Sequence, residues 1–231
     1  MFNEIEVEDS KVISEFERSA FRSHFIACWI GIVLNLLWAL SDYVVFPERF
    51  AGFFTWRLLV SAIALTTLIF RERMKISIYD VVFVIAAGIS VQNAFMWSVM
   101  DEVHMKQHTF AYLALFIGVG MLLLWEIRYS LVLLGLTVIS NLFFFYFFQG
   151  QLSLNSFLID GGLLVFTVAI FSVFLIRSRR RMTISEISSR LALQKSKDLI
   201  QQEHEVVVSQ KIEIENQKNK LEESKIGRAH V

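Results

Sequence analysis

Residues 156–181 read SFLIDGGLLVFTVAIFSVFLIRSRRR. An apolar block, 156–176, ends in Arg177, Arg179, Arg180 and Arg181. As a helix, a block of about 20 apolar residues crosses a hydrocarbon core about 30 Å thick. Basic residues collect on the cytoplasmic side of such segments. The stretch therefore reads as a membrane span that emerges into the cytoplasm at Arg177. Working back from it, five more apolar blocks lie at 24–46, 53–70, 80–100, 110–126 and 129–148, of which 110–126 is the shortest. None alternates polar with apolar as a barrel strand would, so the backbone of each must satisfy itself as a helix. With 55% hydrophobic residues, one proline (Pro47) and a mean hydropathy of +0.54, the composition departs from that of a soluble domain. The expected fold is an all-α membrane protein: a six-helix transmembrane bundle at 23–176, followed by a cytoplasmic coiled-coil signalling helix at 177–225.

Charge sets the orientation. One side of the six blocks carries Lys11, Arg18, Arg22, Arg71, Arg73, Lys75, Arg128 and the four arginines after 176. The other side carries only Arg49 and Lys106. Both termini are thus expected in the cytoplasm of a bacterium, with the protein in the inner membrane. The formal net charge is zero, so no nucleic-acid partner is indicated. The single cysteine, Cys28, lies inside a span, which leaves no disulfide framework and no metal cluster. The first apolar block is too long for a cleaved leader and reads as a retained anchor. Before it, residues 1–22 are expected to form a short cytoplasmic helix. Phe2, Ile5, Val12, Phe16 and Ala20 lie along one side, read either as membrane-facing or as part of a solvated tail.

Polar residues inside spans are costly and informative. In this orientation Asn35, Trp38, Ser41 and Asp42 of span 1 fall in its middle and outer half, and Trp56 and Arg57 open span 2. Gln92, Asn93 and Trp97 of span 3 and Asn141 and Tyr146 of span 5 also lie toward the outer face, with Tyr112 and Asp160 beginning spans 4 and 6. Asn35, Trp38, Asp42, Trp56, Arg57, Gln92, Asn93, Trp97 and Asn141 are the candidate lining of an outer-half cavity for a small amphiphilic ligand, with an Asp42–Arg57 ion pair. The competing reading is hydrogen-bonded glue between helices and an aromatic belt. His104 and His108, four apart, fall in the connection 101–109. Two ligands do not make a closed zinc site, so a solvated loop is expected there, and no metal or cofactor. Gly118, Gly120, Gly161 and Gly162 read as points of close helix packing. No phosphate-binding loop, catalytic triad, dinucleotide fingerprint or paired carboxylates are present, so this stretch is not expected to be an enzyme.

Beyond Arg181, Leu193, Ile200, Val207, Ile214 and Leu221 recur every seven residues. The other core position holds Ser196, Glu203, Gln210 and Gln217. A weak, homodimeric coiled coil is expected. Residues 226–231 break the heptad and read as a frame of a sequencing adapter, with the expectation that the native chain continues into an output domain.

The six spans, the Trp56-Arg57 opening of span 2 and the linker QKIEIENQKNKLEE at 210–223 resemble the six-span receptor region of quorum-sensing histidine kinases. Similar bundles precede bacterial adenylyl and guanylyl cyclases. The resemblance implies a membrane sensor and dimerising region, whose parent is a histidine kinase, that passes a signal through span 6. It does not extend to a phospho-accepting histidine, since His204 in Gln-Glu-His-Glu-Val lacks the flanking pattern. A cyclase or phosphatase anchor, a small transporter and a plain anchor remain alternatives.

Overall fold

The structure, a computed structural model, describes residues 9–148 and 153–229, with side chains up to residue 219. Helices make up nearly all of it, and no strand occurs among the described residues. They are α1 (Asp9–Val45), a 3-10 turn (Pro47–Arg49), α2 (Phe50–Phe70), α3 (Ile78–Ser98), α4 (Glu102–Leu122), α5 (Ile127–Phe148), α6 (Leu154–Phe157), a π-helical turn (Leu158–Gly162) and α7 (Leu163–Ala229). The chain divides into two compact units, residues 15–183 and residues 1–14 with 184–231.

Five of the described helices are long and apolar enough to cross a membrane: α1, α2 with its preceding turn, α3, α5, and the helix running on from Leu154. The protein is accordingly an all-α membrane protein. The fourth expected span is not among the five. Its helix begins at Glu102, eight residues ahead of the apolar block, and carries Glu102, His104, Lys106, Gln107 and His108 in its first two turns. The remaining 14 residues rise about 21 Å, short of a 30 Å core. The helix also stops at Leu122, and Leu123 turns to extended backbone.

Within residues 15–183, α3 is the hub, packed against α2, α4 and α5. Small residues permit the close approaches. Gly31 of α1 faces Ile85, Gly88 of α3 faces Val60, and Gly120 of α4 lies against Ser172 of α7. Gly118, expected as a packing point, instead opens onto free space. Polar caps fix where helices start: Ser77 accepts from the Asp80 N–H, Asp101 from the His104 N–H and Ser153 from the Ser156 N–H. Where α4 ends, α1 supplies the missing partners. Ser23 Oγ donates to the Leu122 carbonyl at 2.6 Å, and His24 Nε2 accepts the Leu124 N–H at 3.4 Å. Between α6 and α7 the chain passes through Gly161 at φ 154°, where an added Cβ would collide with Thr109 of α4. Only glycine suits that position.

At its N-terminal end α1 runs unbroken from Asp9 to Val45, so no separate short helix precedes the first span among the described residues. Phe16 and Ala20 are buried in protein and do not face lipid. Val12 is buried as well, while Phe2 and Ile5 lie outside the described residues. In the unit formed by the chain ends, Ile187 is buried but Leu193, Ile200, Val207 and Ile214 are exposed. Leu221 lies on the helix, beyond the described side chains.

Candidate functional site

Arg57 lies in the second turn of α2 and is 1% exposed. A guanidinium there requires both a counter-charge and acceptors for its N–H groups. Asp42, two helical turns from Asn35 on the same face of α1, supplies the charge. Arg57 Nε donates to Asp42 Oδ2 at 2.5 Å and Nη2 to Oδ1 at 3.0 Å, a two-pronged pair. Nη1 donates to the Asn35 carbonyl at 3.3 Å and to its Oδ1 at 3.2 Å. Asn35 Nδ2 in turn reaches Ser61 Oγ at 3.1 Å and Gln92 Oε1 at 3.2 Å, and Gln92 Nε2 returns to Asn35 Oδ1 at 3.0 Å. Three helices are thereby locked around one buried cation.

A fourth helix joins through His108, whose Nε2 lies 3.3 Å from Arg57 Nη2. Arginine only donates, so this nitrogen accepts and the ring is neutral, with its hydrogen on Nδ1. The expectation of a solvated loop here is corrected. Residues 102–109 are helical, His108 is buried, and it completes the Asp42–Arg57 cluster. The helix is set in place by Asp101, whose carboxylate lies 2.9 Å from the His104 N–H and 2.7 Å from its Nδ1. That N–H, ahead of the side-chain bond, holds the Asp101 carboxyl below its usual range. Lys106 bridges to Glu102 at 2.9 Å and to Asp160 at 3.1 Å, tying α4 to the π-helical turn. Among the described residues no group of three or more His, Cys, Asp or Glu is arranged to hold a metal.

A second buried cluster joins α3, α4 and α5. Asn141 Nδ2 donates to Tyr112 Oη at 2.8 Å, and Tyr112 bonds the Ser90 carbonyl at 3.2 Å. Ser90 Oγ lies 2.8 Å from Thr137 Oγ1. The Trp97 ring packs edge-on against Tyr112 and Phe157.

Beside the first cluster is a cleft of about 110 Å³ between α1, α3 and α4. It follows α1 from Ala27 to Trp38, a rise of about 16 Å. Its walls are apolar, Trp38 and Cys28 among them, apart from Asn35, Arg57 and Asn93 at one end. An engineered apolar cavity of about 150 Å³ takes up benzene, so this one suits a slender apolar body. Of the nine residues expected to line a ligand cavity, Asn35, Trp38, Arg57 and Asn93 reach it. Asp42 and Gln92 stand behind, bonded to wall residues. Trp56 packs on Phe95, while Trp97 and Asn141 belong to the Tyr112 cluster. The cleft also runs past the polar end as far as Cys28 and Leu123, well beyond the outer half alone.

Every bond of Arg57 toward the cleft is taken by its own chain, so the wall presents no unpaired positive charge there. Asn93 Oδ1, by contrast, is buried without a hydrogen-bond partner. The arrangement suits an uncharged molecule with a largely apolar body. His108, Ser61, Ser90 and Thr137 are the site residues that sequence reasoning missed. The signal for His108 was Asp101 three residues ahead of His104, a helix-capping spacing. Compared with known protein families, curated proteins and solved structures, the chain finds no match in any of the three.

Proposed function

We propose that the chain is the membrane sensor and dimerising region of a bacterial signalling protein, of the sensor histidine kinase type. The observation that supports this reading best is the apolar cleft built against a buried polar cluster, because it offers a ligand a place that four helices share. In this reading the protein lies in the inner membrane with six spans. Helix α4 is the fourth, its short apolar stretch completed by burial against its neighbours. The excess of basic residues beside Arg22, Arg71 and Arg177 supports cytoplasmic termini. A small amphiphilic molecule enters the cleft and stabilises one packing of α1, α3 and α4 over another, which requires different affinity for the two packings. The change reaches α7 through the contacts of α4 with Ser172 and with the π-helical turn. Helix α7 pairs with a second copy through Leu193, Ile200, Val207 and Ile214, and its register carries the signal to an output module.

A cleft-filling substitution tests the relay. In a Cys28→Ser background, Ile200→Cys reports the proximity of two α7 helices by disulfide formation in membrane vesicles. Gly118→Leu fills open space at the cleft and should change the cross-linking yield at least twofold. An unchanged yield, with cross-linking otherwise efficient, would rule out the relay and leave a plain anchor.

A further inference from the structure

At the end of the bundle where α7 leaves the apolar region, two arginines are stacked on rings of α1. Arg180 Cζ lies 5.4 Å from the centroid of Phe16, and Arg71 Cζ lies 4.8 Å from that of Phe21. The rings are five positions apart, so both cations flank the same turn and a half of α1. Their electrostatic situations differ. Arg71 has a carboxylate at 2.7 Å, from Glu72. Among the described residues, Arg180 and its neighbour Arg179 have none. Arg179 Nη1 and Arg180 Nε are shielded from water and have no acceptor. Nearby acids do not fill the gap: Glu126 is held by Arg128 at 2.8 Å, and Glu17 makes no ion pair with either arginine. Among the described residues, Arg18, Arg22, Arg177 and Arg181 also have no carboxylate partner.

A shielded guanidinium N–H without an acceptor calls for an anionic oxygen. Stacking on Phe16 fixes the Arg180 plane, and a planar guanidinium fork matches the oxygens of phosphate better than an ammonium does. The site sits directly after the exposed Phe171 and Phe174, where the apolar surface of α7 gives way to charge. That is the depth at which headgroup phosphates lie, and basic pockets between spanning helices bind anionic headgroups there.

We propose that Arg180, braced by Phe16, and its neighbour Arg179 form a phosphate-binding site whose occupant is an anionic lipid headgroup. Free phosphate shares the chemistry, and the test separates the two. The full chain is purified in detergent and offered phosphatidylglycerol or phosphatidylcholine, and retained lipid is read by native mass spectrometry. The wild type should retain phosphatidylglycerol at least tenfold more strongly. Arg179→Gln with Arg180→Gln should abolish that preference, with Arg177 and Arg181 left to maintain orientation. Arg49→Gln, at the opposite end, should leave it intact. If the double glutamine variant fails to fold by circular dichroism, Arg179→Lys with Arg180→Lys replaces it, keeping the charge but losing the fork, with an expected loss of severalfold. Resistance of the bound lipid to millimolar inorganic phosphate supports the headgroup as occupant. Displacement supports the phosphate site with the free anion as its source. Equal retention of the two lipids by the wild type, or a preference unchanged in the arginine variants, would overturn the proposal.

Discussion

On α1, Leu34, Leu37, Leu40 and Val44 expose 46–77% of their surface, and on α7 Leu193, Ile200, Val207 and Ile214 expose 60–66%. The two sets have the same chemistry and similar exposure, yet their neighbours differ. The α1 set belongs to a broad apolar face, and the opposite face of that helix buries Asn35 and Asp42 around a cation. Polar inside and apolar outside is the distribution a hydrocarbon solvent selects, since lipid solvates leucine and cannot solvate an unpaired amide. The α7 set is spaced by seven, and although Leu199, Val206, Val208 and Ile212 are exposed beside it, Lys197, Glu203, Lys211 and Glu215 interrupt the surface. No bilayer fits so interrupted a stripe, and a second helix of the same period does. Exposure alone therefore does not distinguish the two regions; their spacing does, and under the function proposed above it points to lipid for one region and a second copy for the other.

Four substitutions press on this contrast. The largest effect belongs to the polar interior. Asp42→Ala leaves Arg57 buried without its counter-charge and should destabilise the bundle by about 3–5 kcal/mol. Unfolding in mixed micelles would measure it, and a loss under about 1 kcal/mol would mean that water reaches Arg57. Next, Tyr112→Phe removes a buried hydroxyl and leaves Asn141 Nδ2 with only the Thr137 carbonyl as acceptor, for an expected loss of about 1–3 kcal/mol by the same assay. In the tail, Glu203→Leu replaces a polar residue at the second core position expected of the heptads and should raise the disulfide yield of the Ile200→Cys reporter severalfold, while bundle stability stays constant. A bundle that gained stability would break the separation of the two regions. The smallest effect is on the lipid-facing set: Leu37→Ala should shift stability by about 0.5 kcal/mol or less, as at surface sites elsewhere.

Much of the fold was legible because hydrocarbon imposes one rule on long apolar blocks. The blocks at 53–70, 80–100 and 129–148 became α2, α3 and α5 within a few residues. The cluster was partly legible for the same reason: Asp42 and Arg57 inside apolar runs demand each other. What was not legible depended on contacts between distant residues. Residues 101–109 contain two acids, a lysine and two histidines, which locally resemble a loop. Their helix becomes stable where His108 can meet Arg57, 51 residues earlier in the chain. Likewise Gly118 and Gly120 are two positions apart on α4 and point to different surroundings, one to open space and the other to α7. Composition cannot separate them. The left-handed backbone at Gly161 follows from its meeting with Thr109, again a tertiary fact.

The partners that α1 lends to the end of α4 carry a consequence for biogenesis. Leu123, Leu124 and Trp125 form a non-helical, buried segment between α4 and α5. Its Leu122 carbonyl and Leu124 N–H are satisfied by Ser23 and His24, about 100 residues upstream. Hydrocarbon penalises such open backbone groups by several kcal/mol each. A nascent α4–α5 hairpin therefore has no comfortable resting place in lipid by itself. An α1 made earlier in synthesis offers both partners, so the later turn closes against a helix that precedes it in the chain. Synthesis from the N-terminus supplies the parts in the order in which they are needed.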